Sequence, residues 1–326
     1  MTYLFENYKR APIEFVKAEG SYLIDSEGKA YLDFSSGIGV TNLGFHPQVQ
    51  QALLQQAGRI WHSPNLYLSS LQEQVAQELA VSYNYLAFFC NSGAEANEAA
   101  IKLARKATGK QGIVTFQQSF HGRTFGAMAA TGQDKIKEGF GDGVPHFSYA
   151  VYNDLSSVEK LVNQDTAAVM LELVQGESGV RPAEAAFVKN LSDFCRREEI
   201  LLIVDEVQTG MGRTGQLYSF EHYGIIPDIV TLAKGLANGL PAGALLGKSS
   251  LAPALGPGSH GSTFGGNKLA MAAALETLHI MKEAGFLEEV RSKSAILLEQ
   301  LQVAFQDHPK ISAVRGLGMM IGIETS

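Results

Sequence analysis

A lysine and a pair of carboxylates could do chemistry, because each directly follows an apolar segment of the sequence. Asp205 and Glu206 end the apolar run 201–204, and Lys234 ends the run 229–233. An unpaired buried charge is very costly, so such groups need partners, and a protonated ring nitrogen would suit Asp205. A partly desolvated lysine has a lowered pKa and serves as a nucleophile and base. A metal site is not expected at the acidic pair, because no His or Cys follows at ligand spacing.

Two further segments offer groups that could bind an anion such as phosphate. Ser92 and Gly93 follow the apolar run 86–90 and open a helical pattern. The free N–H groups and the dipole at a helix N-terminus favour a phosphate. The alternative is a plain helix cap in which Ser92 pairs with Glu95. The hydroxyls and glycines of segment 260–267 are a second candidate.

Short apolar runs alternate with helical patterns through the middle of the chain. Continuous apolar runs are expected of strands whose sheet is covered on both faces. The predicted strands are 86–90, 113–116, 167–173, 200–204, 229–232 and 244–246, and helical patterns include 94–107 and 186–198. The order predicts a mostly parallel α/β sheet that binds ligands near the carboxyl ends of its strands.

The two ends of the chain show different patterns. Residues 19–25 and 29–34 alternate like two strands around a turn, which predicts a hairpin. The stretch 267–305 is strongly helical with a break at Gly285, and two strand-like segments follow at 311–315 and 319–324. These last elements indicate the start of a smaller C-terminal domain.

The overall composition excludes several classes of function. The net charge is −7 and the basic residues are scattered, which argues against nucleic acid or a membrane surface as a partner. The sequence shows neither a signal peptide nor an apolar run of about 20 residues that could cross a bilayer. Cys90 and Cys195 form no CxxC pair, which favours two buried thiols in a reducing cytoplasm.

Six motifs in one order resemble the class III aminotransferases, a family of fold-type I enzymes that use pyridoxal phosphate. The motifs are NSGAEANEAA, FHGRT, VQGESG, LLIVDEVQTGMGRTG, LAKGLANGLP and HGSTFGGN, and the resemblance spans essentially all 326 residues. It implies a large domain with a mostly parallel seven-stranded sheet covered by helices, and a smaller α+β domain from both chain ends. The implied division is 1–47 for the N-terminal part of the small domain, 48–265 for the cofactor domain and 266–326 for the C-terminal part.

The resemblance also assigns roles toward pyridoxal phosphate. Lys234 would carry the cofactor covalently and then move a proton as general base and acid. Asp205 would keep the ring nitrogen protonated. The remaining cofactor contacts would come from Gln208 at the ring hydroxyl, Phe120 on the ring face, and Ser92, Gly93 and Ala94 at the phosphate. Thr263 would reach the phosphate of a neighbouring subunit, which implies a homodimer with shared active sites.

Substrate recognition follows from the same resemblance. Arg123 would bind a substrate carboxylate bidentately, and His121 is either a site residue or an oriented structural histidine. Ile38 stands where ornithine aminotransferases have a tyrosine, so an unblocked ornithine is disfavoured. The segments GIGVTNLGFHP and HSPNLY most resemble acetylornithine aminotransferases, with 2-oxoglutarate as the amine acceptor. Succinylornithine, succinyl-diaminopimelate, ornithine and 4-aminobutyrate are the alternative donors.

One feature of the family pattern is missing from this sequence. Family members continue with an arginine that binds the α-carboxylate of glutamate and pairs with the acid matching Glu177. A chain ending at Ser326 would bind the cofactor and have a damaged glutamate half-reaction, or would be a non-catalytic relic. A nucleotide-binding loop at 243–249 is a further alternative, although it has three residues between its glycines where four are required.

Overall fold

The computed structural model describes residues 3–326, in which strands and helices alternate. The strands are β1 Phe15–Glu19, β2 Tyr22–Asp25, β3 Ala30–Leu32, β4 Tyr85–Cys90, β5 Gly112–Phe116, β6 Phe147–Ala150, β7 Thr166–Leu171, β8 Val174–Gln175, β9 Arg181–Pro182, β10 Leu201–Asp205, β11 Ile229–Leu232, β12 Gly243–Lys248, β13 Ile311–Leu317 and β14 Met320–Thr325. The helices are α1 Ser36–Gly39, α2 Pro47–Ala57, α3 Ser70–Ala80, α4 Gly93–Thr108, α5 Phe125–Ala130, α6 Asp134–Lys137, α7 Leu155–Leu161, α8 Ala185–Arg197, α9 Lys268–Met281 and α10 Phe286–Phe305.

Seven strands form the central sheet in the order β4-β12-β11-β10-β7-β5-β6. All neighbouring pairs are parallel except the two that involve β12, which runs antiparallel to β11 and to β4. The expected mostly parallel seven-stranded sheet is therefore confirmed. Strand β12 occupies most of 243–249, so the nucleotide-binding loop is wrong there. The predicted strand 167–173 was too long, since β7 ends at Leu171, and the edge strand β6 was not predicted.

The sheet is apolar on both faces because helices cover each of them. Successive side chains of a strand point to opposite faces. On β7, Val169 and Leu171 belong to the core cluster that includes α8, whereas Ala168 and Met170 belong to the cluster that includes α4. This arrangement explains why the strands appear in the sequence as continuous apolar runs.

The two chain ends form smaller sheets beside the central one. Strands β1, β2 and β3 are antiparallel, and β2 with β3 is the predicted hairpin. Strands β13 and β14 form a second antiparallel pair. Side chains from both ends, among them Leu23 and Ile323, line one cavity of about 740 Å³, together with residues such as Val49 and Leu240 from between them. No helix within residues 3–326 has the length and apolar composition needed to cross a membrane.

Candidate active site

A cavity of about 430 Å³ lies at the carboxyl ends of the parallel strands. Asp205 is the last residue of β10, Glu172 directly follows β7, and Lys234 lies two residues beyond β11. All three side chains line the cavity. Parallel strands end at the same edge of a sheet, so residues distant in sequence meet there. The predicted location of the site is therefore where the chemical groups converge.

The structure brings together most of the residues that were predicted from sequence. The cavity is lined by Ser92, Gly93, Ala94, Phe120, Arg123, Asp205, Gln208 and Lys234. Thr263 is exposed and lines a different cavity, beside His62. Ile38 and Glu177 are exposed and are not part of the wall of the Lys234 cavity.

Asp205 is buried and fully engaged in hydrogen bonds. The residue is only 4% exposed to solvent. Its Oδ2 lies 2.7 Å from Nδ1 of His121 and accepts a hydrogen bond of 2.8 Å from Nδ2 of Asn97. Its Oδ1 accepts the backbone N–H of Val207 at 3.0 Å. Three hydrogen bonds of this kind fix the position of the carboxyl group next to the cavity.

Asn97 links this carboxylate to the neighbouring strand and was not predicted as a site residue. Its Nδ2 also donates to the carbonyl of His121 at 2.7 Å, and its Oδ1 accepts from Oγ1 of Thr231 at 2.7 Å. Asn97 and Thr231 are both buried. A signal existed in the sequence, because Asn97 is a polar residue on the alanine-rich buried face of α4.

His121 is buried beside Asp205, which makes it an oriented histidine. Burial alone would lower the pKa of His121, but the hydrogen bond and the charge of Asp205 outweigh burial and raise that pKa. The raised pKa favours an imidazolium that donates to the Asp205 carboxylate. Its Nε2 is buried without a hydrogen-bond partner among residues 3–326.

Glu172 is a second buried carboxyl group that the sequence analysis missed. It is 6% exposed, and its Oε2 accepts the backbone N–H of Phe120 at 2.9 Å. Burial raises the pKa of Glu172 to about 7, opposed by His121 and reinforced by Asp205. The available signal was a single charged residue inside an otherwise apolar run, which predicts either a strand end or a functional carboxyl.

Lys234 is partly buried and has a strained backbone. Its φ is 46°, in the left-handed region that a non-glycine residue rarely adopts. Burial lowers the pKa of its amine, although the charges of Asp205, Glu172 and Glu177 act in the opposite direction. The neutral, nucleophilic form of the amine is therefore favoured more than for a surface lysine.

Helix α4 points its N-terminus into the same cavity. Ser92 is the N-cap, and its Oγ accepts the N–H of Glu95 at 3.2 Å. The first-turn N–H groups of a helix have no acceptor within the helix and can bind an anion. A Cβ on Gly93 would come within 2.6 Å of the Val207 side chain, so only glycine fits this first position.

Arg123 lies at the exposed rim of the cavity. Its guanidinium carbon is 5.7 Å from the centre of the Phe120 ring, a cation–π distance. Gln208 lies deeper, and a Cβ on Gly176 would come within 2.2 Å of its Oε1. The cavity thus combines the N-terminus of a helix, an amine, a buried carboxylate and a guanidinium at its mouth.

Comparison with known proteins agrees with this geometry. The Streptococcus mutans protein "Acetylornithine aminotransferase" is 69% identical over 326 residues, which cover 100% of this chain and 86% of that protein. The ornithine aminotransferase structure from Toxoplasma gondii has a TM-score of 0.95 at 31% identity, over 99% of this chain and 80% of that one. The N-acetylornithine aminotransferase structure from Stenotrophomonas maltophilia has a TM-score of 0.83 at 35% identity, over 98% and 82%. The family model "Aminotransferase class-III" matches residues 3–326, and the chain therefore belongs to the class III aminotransferases.

Proposed function

We propose that this aminotransferase transfers the terminal amine of N2-acetylornithine to 2-oxoglutarate, giving N-acetyl-L-glutamate 5-semialdehyde and glutamate, a step of arginine biosynthesis. The observation that carries the proposal is the convergence of the Lys234 amine and the hydrogen-bonded Asp205 carboxylate in one cavity. The similarity to relatives named acetylornithine aminotransferase supports the choice of donor.

The cavity fits pyridoxal phosphate, the cofactor that class III aminotransferases use. The N-terminus of α4 suits a phosphate, and the missing Cβ of Gly93 lets the chain pack closely there. Asp205 is a buried anion beside the cavity and suits a protonated ring nitrogen. Ser92, Gly93 and Ala94 would hold the phosphate, Phe120 would lie on the ring and Gln208 would bind the ring hydroxyl.

The protein's own groups would orient the reaction and move protons. When bound, pyridoxal phosphate supplies an aldehyde that condenses with amines and a ring that withdraws electrons. Lys234 Nζ, with its lowered pKa, would take the proton from the substrate carbon that carries the amine and return it later. Asp205 would stabilise positive charge on the ring nitrogen, and His121 and Asn97 would hold that carboxylate in place.

Rim residues would recognise the two substrates. Arg123 lies at the mouth of the cavity, where its guanidinium would bind a carboxylate of either substrate. Ile38 has no hydrogen-bonding side chain, which favours a donor whose α-amine is blocked by an acyl group. Glu177 is exposed near Lys234 and would pair with a cationic group when the donor is bound.

A second copy of the chain would complete the site. Several large apolar side chains are exposed in segment 61–68 and next to Thr263, namely Trp61, Leu66, Tyr67, Leu68 and Phe264, and Leu66 lines the same cavity as Thr263. Exposed apolar surface of this kind favours association with a partner. In the proposed homodimer this surface is buried, and Thr263 reaches the cofactor phosphate of the other subunit.

The two cysteines support a reducing location for the protein. Cys90 and Cys195 are both free and buried. Burial raises the pKa of each thiol to about 12, so neither is a reactive thiolate. We therefore place the enzyme in the cytoplasm.

The test is a spectroscopic donor panel on the purified, cofactor-loaded protein. The absorption band of the bound cofactor should be bleached by N-acetylornithine at least about tenfold more efficiently than by ornithine or 4-aminobutyrate. Lys234→Ala is the control that should show no bleaching. Preference for ornithine or 4-aminobutyrate would exclude the proposed donor, and loaded protein that no donor bleaches would indicate a non-catalytic relic.

A further inference from the structure

A strained turn lies beside the Lys234 cavity. Ser36, Gly37, Ile38 and Gly39 have φ values of 44°, 65°, 62° and 79°, and we call Ser36–Gly39 the left-handed turn. A β-branched residue such as Ile38 is rarely found in this conformation. Strain of this kind persists only where the surrounding structure enforces it. Contacts from other parts of the chain must therefore hold the left-handed turn in place.

Arg213 contacts the left-handed turn from a distant part of the chain. Its Nη2 donates to Oγ of Ser36 at 3.1 Å and also to Oδ1 of Asn42. Asp33 supports the entry to the turn, since its Oδ1 accepts the N–H of Ser36 at 2.8 Å. One guanidinium thus binds both ends of the segment from Ser36 to Asn42. Asp33 binds only the start of that segment.

Arg213 has no acid partner within residues 3–326. Burial lowers the pKa of its guanidinium, and no carboxylate opposes this effect. Its Nε is buried without a hydrogen-bond partner in the described part of the chain. A desolvated, unpaired cation costs stability, so a role in forming the substrate site would account for its presence better than a role in stability.

The same segment is tied to the loop that carries Lys234. Asn42 Nδ2 donates to the carbonyl of Met211 at 2.7 Å, and a Cβ on Gly235 would come within 2.2 Å of that nitrogen. Asn238 Oδ1 accepts the N–H of Leu43 at 3.0 Å, and its Nδ2 donates to the carbonyl of residue 44 at 2.9 Å. The position of the N-terminal segment is therefore fixed relative to the catalytic lysine.

The segment also reaches the wall of the Lys234 cavity, through Val40. Val40 lines the Lys234 cavity, and Ile38, two residues earlier, is 57% exposed. Both side chains are apolar and offer no partner to a charged amine. A free α-ammonium placed against them would lose water without compensation, whereas an acylated α-nitrogen is uncharged.

We propose that Arg213 is a positioning residue for donor specificity. Through Ser36 and Asn42 it holds the left-handed turn so that Ile38 and Val40 form the apolar surface against which the blocked end of the donor lies. The inference rests on the proposed function, because it assigns the reason for preferring an acylated donor. Arg213 does not line the Lys234 cavity, so it would not contact the reacting atoms.

The test is Arg213→Lys, which keeps the positive charge and removes the guanidinium whose Nη2 donates to both Ser36 and Asn42. We expect the ratio of kcat/KM for N-acetylornithine over ornithine to fall about tenfold, mainly through a higher KM for N-acetylornithine. Cofactor affinity and the bleaching rate at saturating donor should change less than about twofold. Ser36→Ala removes one of the two acceptors and should lower the same ratio by about threefold, which keeps the test possible if Arg213→Lys does not fold.

The matched control is Arg291→Lys. Arg291 also contacts the loop around Arg213, since its Nη1 donates to the carbonyl of Gly215 at 2.7 Å, but it lies on α10 away from the left-handed turn. This variant should leave the donor ratio unchanged. An unchanged ratio in both Arg213→Lys and Ser36→Ala, or an equal loss for all donors, would overturn the inference. A wild-type enzyme without preference for N-acetylornithine would instead reject the proposed function itself.

Discussion

The inner wall of the Lys234 cavity and its rim are built in different ways. The inner wall includes Asp205, Asn97 and His121, which are buried and, together with Thr231 behind them, are joined by hydrogen bonds of 2.7–2.8 Å. The second group, which we call the rim, consists of Arg123 at the mouth of the cavity and of Ile38, Glu177 and Thr263, which lie outside the cavity wall; all four are exposed. Asp205 and Asn97 come from the central sheet and the helix that covers it, and His121 comes from the loop after β5, whereas the rim comes entirely from turns and connecting segments.

This difference separates chemistry from recognition. Groups held by a sheet and a packed helix keep their geometry without a substrate, as proton transfer and charge stabilisation require. Connecting segments vary more easily, and they hold the residues that would select a donor or meet a second subunit. Changes in the inner wall should therefore affect every donor, and changes in the rim should affect donors unequally.

The largest effect is expected from Lys234→Ala. If this amine moves the proton as proposed, its loss should lower the transamination rate by about 10³–10⁴-fold for every donor. Cofactor should still bind without a covalent link, because the N-terminus of α4 is unchanged. Steady-state assays and fluorescence titration measure the two quantities, and exposed Lys189→Ala is the control. A variant that kept a tenth of the activity would place the catalytic amine elsewhere.

Asp205→Asn tests the inner wall next, since it keeps the shape of the side chain and removes its charge. We expect a loss of about 10²–10³-fold in kcat that is equal for all donors. The pKa of His121 should fall in this variant, because the hydrogen bond and charge of Asp205 raise it in the native protein. NMR titration of the imidazole reports that shift. An unchanged His121 pKa would show that the pair is not coupled.

Thr263→Ala tests whether the rim is shared between subunits. The proposed loss of one phosphate contact should weaken cofactor binding by about tenfold. Mixing this variant with Lys234→Ala should restore normal affinity at one of the two sites of each hybrid dimer, the one with an intact Lys234 and a partner's intact threonine. Titration of the mixed and unmixed proteins measures this recovery. No recovery in a confirmed dimer would mean that each subunit binds its own phosphate alone.

Glu172→Gln should give the smallest change and depends on pH. Burial raises the pKa of Glu172 from 4.5 to about 7, so the folded protein binds an extra proton in this window and loses stability as the pH rises through it. The Gln variant cannot titrate and keeps the Phe120 contact through its amide oxygen. The free energy of unfolding of the variant minus that of the native protein should therefore rise as the pH increases from about 4.5 to about 7.

Urea denaturation at several pH values measures this difference, with Glu159→Gln on the exposed face of α7 as the control. A difference that stays constant with pH would show that Glu172 titrates normally. The charge of Glu172 also raises the pKa of His121 and of Lys234, so the pH dependence of the difference reports Glu172 together with these two neighbours.

The central sheet was largely predictable from sequence because both of its faces are buried. The predicted strand 229–232 coincides with β11, and the other predicted strands agree within a few residues. Strand β6 was missed because it is an edge strand whose residues are mostly only partly buried, so it lacks a continuous apolar run. Nothing in the local pattern of β12 shows that it runs antiparallel, since its direction depends on its neighbours.

The candidate site was predictable where a charged residue ends an apolar strand, because few structural roles place a charge there. Lys234 and Asp205 met this condition, and the structure brings them to one cavity. Asn97 and Glu172 were missed because their importance comes from contacts across the fold, with Asp205 and with Phe120. The left-handed turn was also unpredictable, since Ser36 and Ile38 have no local preference for that conformation.

The most direct test of the account is to locate the covalent link to the cofactor. The protein loaded with pyridoxal phosphate is reduced with borohydride, which fixes the cofactor to the amine that carries it, and is then digested for mass spectrometry. We predict one modified peptide, with the added mass on Lys234 and none on exposed lysines such as Lys189. Modification at another lysine, or at none, would contradict the assignment of the strand-end cavity as the active site.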